Sequence, residues 1–322
     1  MKRLCLSAWA LRCLHGELPI LNTYITRLSL LSVLFFFTQA LAQSVAITFD
    51  DGPEMEKQAG MSAVERNDAI LRQLKDSKIQ SILFITLNDG DKERMGLVRK
   101  WGEEGHLIAN HSVTHKSLHS KKANLNDFKM ELLKCDSVIS HYPGYRKLYR
   151  FPYLHEGRNL QVQDSVRAIL SSASYRSAPV SIDGSDWYYN NRLLDRLKND
   201  PETDLQPYKE AYLNHIWDRA AYYDSLSKEV LQRPIKHVLL LHHNQINALF
   251  LHDLIAMFQD KGWQFISPEA AFADSVYSTV PDFYPAYGSI IYKLARAKGI
   301  NSLDRSGEDS SYEKPILDKL GL

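Results

Sequence analysis

Cysteine is nearly absent from this chain: there are three in 322 residues, and Cys5 and Cys13 both fall in the amino-terminal leader-like stretch. Only Cys135 remains beyond it, so no intrachain disulfide can form there. Cys135 sits in an amphipathic stretch and is expected as a small buried hydrophobe. No cysteine stands at the expected cleavage site, which argues against a lipid-anchored product. Long apolar runs are missing too. The longest, Leu28–Phe37, is too short for a comfortable membrane span. Charge of either sign is not in excess, with 39 Lys and Arg against 38 Asp and Glu. Without residues 1–42 the balance is 35 positive to 37 negative. That gives no support for nucleic acid or an anionic membrane surface as partner. Internal repeats and low-complexity tracts are also lacking.

The amino terminus reads as a leader. Arg27 precedes the apolar run Leu28–Phe37, and Ala40-Leu41-Ala42 supplies a small-x-small cleavage pattern before Gln43. Residues 1–42 are therefore expected to be a signal peptide, with an uncleaved anchor as the alternative. If the leader is cleaved, the product is not an integral membrane protein.

Beyond the leader, short β-branched and apolar runs alternate with helical patterns. The expected strands are Val45–Phe49, Ser81–Ile85, Leu107–Asn110, Leu148–Arg150, Val180–Ile182, His237–Leu241 and Gln264–Ile266. The expected helices between them are Ser62–Lys75, Asp91–Glu104, Leu125–Ser140, Val162–Leu170, Lys209–Lys228 and Gln245–Lys261. This alternation specifies an α/β fold with a parallel sheet or barrel. Two stretches do not fit it. Residues 183–234 form a long, polar, tyrosine-rich excursion with at least one helix. The tail after Asp274 is rich in Tyr, Pro, Gly and Ser, and is expected to be a packed, irregular extension.

Chemistry-bearing residues gather at the ends of these strands. Asp50 and Asp51 adjoin where the first strand meets Gly52-Pro53. Two neighbouring carboxylates repel, and a bound cation is the usual reason to keep both; an Asp-Asp-Gly-Pro turn is the plainer alternative. After the third strand, His111 and His115 are four apart and would share a face on one helical turn. Two imidazoles and a carboxylate, with positions left open, suit Zn²⁺ or another divalent transition metal. Arg150 ends the fourth strand and is either a surface charge or a partner for the carboxylate that does not bind metal. Asp186-Trp187 follows the fifth strand. The sixth runs Leu239-Leu240-Leu241 into His242-His243. Alternation puts His242 on the face of Leu240 and His243 on the other.

Taken in order, these segments resemble the polysaccharide deacetylases, carbohydrate esterase family 4, with their nodulation-deacetylase homology domain. Thr48–Pro53 is similar to the family's first motif, Asn110–His115 to the second, Arg150–Tyr153 to the third, Asp186-Trp187 to the fourth and Leu240–His242 to the fifth. The resemblance covers roughly Val45 to Ala273. It implies a distorted (β/α) barrel with about seven parallel strands, a catalytic domain over 43–273 and an extension over 274–322. It also implies roles: Asp51, His111 and His115 as ligands of one divalent metal ion, Zn²⁺ above all; Asp50 as general base held by Arg150; His242 as general acid oriented and charged by Asp186; Trp187 and Leu240 around the acetyl methyl; and the Tyr153 backbone N–H toward the oxyanion. His243-Asn244 departs from the family, which often has an aspartate after the acid. The activity implied is N-deacetylation of amino sugars in an extracytoplasmic glycan such as peptidoglycan, poly-N-acetylglucosamine or a chitin-like polymer. An O-acetyl polysaccharide esterase, a non-sugar amide hydrolase and a non-catalytic glycan-binding protein are the alternatives.

Overall fold

Strand β1 (Ser44–Gly52) is buried along nearly its whole length, as expected of a strand covered on both faces. A computed structural model describes residues 42–303 and 310–322 around it; the expected leader lies outside the described residues. The other strands are β2 (Ile82–Ile85), β3 (Leu107–Asn110), β4 (Tyr145–Tyr149), β5 (Arg176–Ser177), β6 (Ile182–Asp183), β7 (Lys236–His242) and β8 (Gln264–Phe265). They make one sheet in the order β5-β4-β3-β2-β1-β7-β6, with β8 beside the start of β1, and every pairing is parallel. The sheet curls into a distorted (β/α) barrel. Residues 178–181 carry the chain from one edge to the other: Ala178 N–H donates to Tyr149 O, and Ser181 N–H to Val238 O.

Parallel strands need crossover helices. Here they are α1 (Ala63–Asp76), α2 (Lys92–Glu103), α3 (Leu125–Ile139), α4 (Leu160–Ser172), α5 (Asp186–Asn199), α6 (Gln206–Leu231) and α7 (Gln245–Asp260). Their starts follow from local chemistry. Ser62 and Glu65 form a reciprocal capping box at α1, and the Asn244 side chain accepts from Asn247 N–H at α7. Cys135 is buried in the core against β2, with its thiol directed at Ile85 O.

The excursion after β6 holds two helices, α5 and α6, where the sequence pattern marked one. The first is concealed because it starts at the Asp186-Trp187 pair, which reads as loop. The segment after Asp274 is less irregular than expected. Following α8 (Pro268–Phe272) it contributes α9 (Ile290–Ala297) and α10 (Glu313–Leu320), whose Ile290, Ile291, Ala295 and Leu317 are buried in the main core. Short helices with few apolar positions leave little periodic signal.

Candidate active site

The strand register creates the site. Along β1 and β7 the pairing runs from Ser44 opposite Lys236 to Asp50 opposite His242. The two residues therefore stand side by side at the carboxyl ends of adjacent strands, where barrel sites form. Gly52 is required by close approach, since a Cβ there would run into Leu83 and His243. Asp51 has φ +61, a left-handed conformation that aspartate tolerates. This turn separates the neighbouring carboxylates. Asp50 stays in the ladder, while Asp51 swings toward the loop after β3.

That loop carries His111 and His115, and it is not a helical turn. Ser112 and His115 both have positive φ, and His115 N–H donates to Ser112 Oγ. The expected i,i+4 helical face is replaced by a tight loop that still puts the two rings 4.9 Å apart. Asn110 Oδ1, accepting from Ser112 N–H, starts the turn. Sequence spacing had suggested proximity through the wrong local geometry.

Asp51, His111 and His115 each present one ligand atom, and all three lie within 4.8 Å of one another. Asp51 Oδ1 is 3.3 Å from His111 Nε2 and 3.1 Å from His115 Nε2. His111 Nδ1 lies 2.8 Å from Arg150 O, which places its ring proton there and leaves the Nε2 lone pair facing Asp51. Burial, and then the neighbouring His111, pulls His115 down to about 4, so its ring is the neutral form that ligates. Asp51 lies below the ordinary carboxylate range: burial opposes ionisation, and the hydrogen bond and charge of His111 outweigh it. This donor set and its outer partners fit a divalent transition metal.

Arg150 is fully buried inside the barrel. Its Nη1 donates to Asp50 Oδ1 and to Thr48 Oγ1, both at 2.9 Å, its Nε donates to Ala178 O, and its guanidinium lies over Phe84. Of the two readings the sequence left open, the carboxylate partner is the one found. Burial raises the Asp50 carboxyl from its ordinary value, and Arg150 opposes the rise. Across the mouth, His242 Nδ1 is 2.6 Å from Asp186 Oδ1, and His242 N–H donates to Asp186 Oδ2. Burial disfavours the imidazolium, but Asp186 wins, and the His242 pKa is pushed up to about 10. His243 takes the opposite direction. Its Nδ1 accepts from Glu54 N–H and its Nε2 donates to Asn67 Oδ1, packed near Trp101 in the core.

Asp50, Asp51, His111, His115, Tyr153, Trp187, Leu240 and His242 line one open cavity. Arg150 and Asp186 stand behind its wall, bonded to Asp50 and His242. Sequence reasoning missed several supporting residues. Asn244 and Asn247 both donate to Asp186 Oδ2, and the Asn-x-x-Asn cap of α7 was the available signal. Thr86 donates to Asp51. Leu154 and Asp183 also line the cavity, and burial raises the Asp183 carboxyl against the pull of Arg219. No sequence pattern distinguished these three from ordinary strand ends.

Residues 39–178, less than half of the chain, match the family model described as polysaccharide deacetylase. Among curated proteins the chain is similar to a peptidoglycan-N-acetylglucosamine deacetylase of Bacillus cereus, 30% identical over 110 residues, 34% of this chain and 36% of the relative. Another of the same description and organism is 26% identical over 151 residues, 46% of this chain and 49% of the relative. The Listeria monocytogenes deacetylase PgdA is 28% identical over 151 residues, 46% of this chain and 27% of the relative. The matches thus span at most about half the length of these relatives. Solved structures share the fold. The peptidoglycan N-acetylglucosamine deacetylase Bc1960 superposes with TM-score 0.51 at 21% identity, over 72% of this chain and 88% of that one. The chitin deacetylase of Colletotrichum lindemuthianum gives 0.50 at 19%, over 72% and 88%. The pseudoenzyme BA3943 of Bacillus anthracis gives 0.50 at 15%, over 72% and 66%.

Proposed function

We propose that this protein is a metal-dependent N-deacetylase of N-acetylated amino sugars in an extracytoplasmic glycan, with peptidoglycan as the leading substrate. The observation that carries the reading is the division of labour in one cavity. Asp50 is held by Arg150, His242 is charged by Asp186, and Asp51, His111 and His115 converge beside them. A hydrolytic site needs a base and an acid: Arg150 opposes the rise that burial imposes on the Asp50 carboxyl, and Asp186 keeps the His242 imidazole protonated. The names of the curated relatives favour peptidoglycan over chitin. The complete set of Asp50, Asp51, His111, His115 and His242 favours catalysis over glycan binding alone.

Asp51, His111 and His115 would hold one divalent ion, best suited to Zn²⁺. Bound there, it would lower the pKa of water to about 7 and polarise the acetyl carbonyl. The chain's own residues do the remaining work. Asp50 Oδ2, the oxygen not taken by Arg150, accepts the proton of the attacking water. Leu240 and Trp187 wall the space for the methyl group. The Tyr153 N–H donates to the carbonyl oxygen as negative charge develops on it. His242 then donates its proton to the departing amine, which is a poor leaving group without one. Asp186 keeps that imidazole charged and oriented, with Asn244 and Asn247 fixing the carboxylate.

We assign the catalytic domain to 43–273, following a leader over 1–42 that would direct export to the periplasm or beyond and then be removed. Among the described residues no helix is long and apolar enough to cross a membrane. Intact mass measured on exported protein should begin at Gln43; a full-length product held in the inner membrane would make the leader an anchor.

The deciding experiment is acetate release from a panel of acetylated glycans, with and without chelator. Release from N-acetylated peptidoglycan, abolished by chelation and restored by Zn²⁺, is expected. Release from O-acetylated polymers alone would favour the esterase alternative. Metal analysis of His111→Ala should show a large loss of bound ion; full retention would remove the three-residue assignment.

A further inference from the structure

The segment after the last strand returns to the loop that follows β4 and fastens it. Glu156 N–H donates to Ala286 O at 2.8 Å, and Ala286 N–H donates to Gly157 O at 3.1 Å, an isolated antiparallel bridge. His119 Nε2 lies 3.1 Å from the same Ala286 carbonyl. Beside the bridge the Glu156 carboxylate is buried between two cations. Lys293 of α9 bonds to Oε1, and Arg167 Nη2 reaches Oε2 at 3.2 Å. Lys293 is only 1% exposed, a rare state for lysine that a paired carboxylate explains. Gly157 lets the chain pass here: its φ is +145, and a Cβ would come within 2.9 Å of Gln163 N.

The fastened loop holds two consecutive left-handed residues that are not glycine, Tyr153 at φ 57 and Leu154 at φ 54. Such a residue is strained and persists only where its surroundings over-determine it. Within the loop, Leu154 N–H donates to Phe151 O and His155 N–H to Pro152 O. The bridge and the ion pair begin at the next residue, Glu156. Both strained residues line the catalytic cavity. A buried ion pair contributes little net stability over apolar packing, so its use here is geometric.

We propose that Glu156 and Lys293, with the Ala286 bridge, are positioning residues for catalysis: they hold the Tyr153 backbone in its left-handed state, and with it the N–H that meets the oxyanion. This rests on the deacetylase reading of the cavity. It makes the extension over 274–322, which lies beyond the matched residues 39–178, part of the working site.

The test compares Lys293→Met, Lys293→Arg and the double variant Glu156→Gln/Lys293→Met in the full protein loaded with Zn²⁺. The double variant replaces the pair by neutral groups of similar volume, a change that folding tolerates well. Amide exchange at residues 153–158, bound metal, kcat and KM are measured on an N-acetylated glycan fragment. Both neutralised forms should exchange faster over 153–158. Their kcat should fall roughly ten- to a hundredfold, as for a misplaced oxyanion donor, with KM within about twofold and metal unchanged. Lys293→Arg should recover most of kcat. Unchanged exchange overturns the proposal, and so does a loosened loop with unaltered kcat. Were the wild type to release no acetate from any glycan, the deacetylase reading would fall, and exchange alone would still decide whether the pair holds the loop.

Discussion

Asp50→Asn should retain its metal and its fold and lose turnover by about 10²–10⁴-fold, the usual worth of a positioned base. Asp50 Oδ1 is committed to Arg150 at 2.9 Å, and its other oxygen, 3.8 Å from His111 Nε2, is the one free to take a proton. An amide keeps the shape and an oxygen for Arg150, but it cannot accept a proton at neutral pH. The ligand atoms of Asp51, His111 and His115 are untouched. Weakening the buried pair with Arg150 also has a stability cost, bounded by the roughly 3–5 kcal/mol for removing one partner outright. Activity is therefore compared at matched folded fraction. If Asp50→Asn lost the metal while Asp51→Asn kept it, the roles of the two carboxylates would be reversed.

Replacing His242 by alanine should abolish most acetate release at matched metal occupancy, whereas His243→Ala should keep a substantial part of it. His242 faces the cavity with Leu240, and His243 is bonded to Asn67 and Glu54 in the core. The second substitution strands buried polar partners, so its effect falls on stability, about 1–3 kcal/mol, and not on the reaction. The reverse ranking of the two variants would overturn the assignment. Asp186→Asn adds a pH signature. A general acid works only while protonated, and the carboxylate holds His242 at about 10 against the opposing effect of burial. Without it, burial is less opposed and the imidazolium loses its proton at lower pH. The alkaline limb of kcat/KM should move to lower pH, and an unmoved limb would mean that another group is the acid.

Much of the architecture could be read without coordinates because buried parallel strands carry a strong local signature. Val45–Phe49, Leu107–Asn110 and His237–Leu241 are apolar runs closed by Gly, Pro or His, and each is a strand within a few residues of the expected bounds. The two-residue β5 was invisible, since Arg176–Ser177 has neither length nor hydrophobicity and exists because Tyr149 and Leu148 offer it a ladder. Helix α5 was missed for a related reason. Its start is set by Ser185 at φ 48 and by Asp186 turning toward His242, which is a tertiary cause.

By itself the sequence determined an α/β chain of parallel strands, and it placed two carboxylates, two spaced imidazoles, an arginine, an Asp-Trp pair and a His-His pair at strand ends. Those are properties of neighbours along the chain, where periodicity and turn chemistry act. Which Asp of the adjacent pair meets Arg150 and which meets the imidazoles was implied by the family resemblance, but nothing along the chain explains it; the fold does. The β1–β7 register sets Asp50 beside His242, and one left-handed residue rotates Asp51 away. Likewise the spacing of His111 and His115 fits a helix or a loop equally well, and packing against Arg150 O and Ser112 selects the loop. The reach of Lys293 to Glu156, 137 positions apart, has no trace in either local sequence. An ion pair of that span is held by the folded barrel and its returning segment, because only a folded core supplies the dry, fixed geometry in which two such charges stay together.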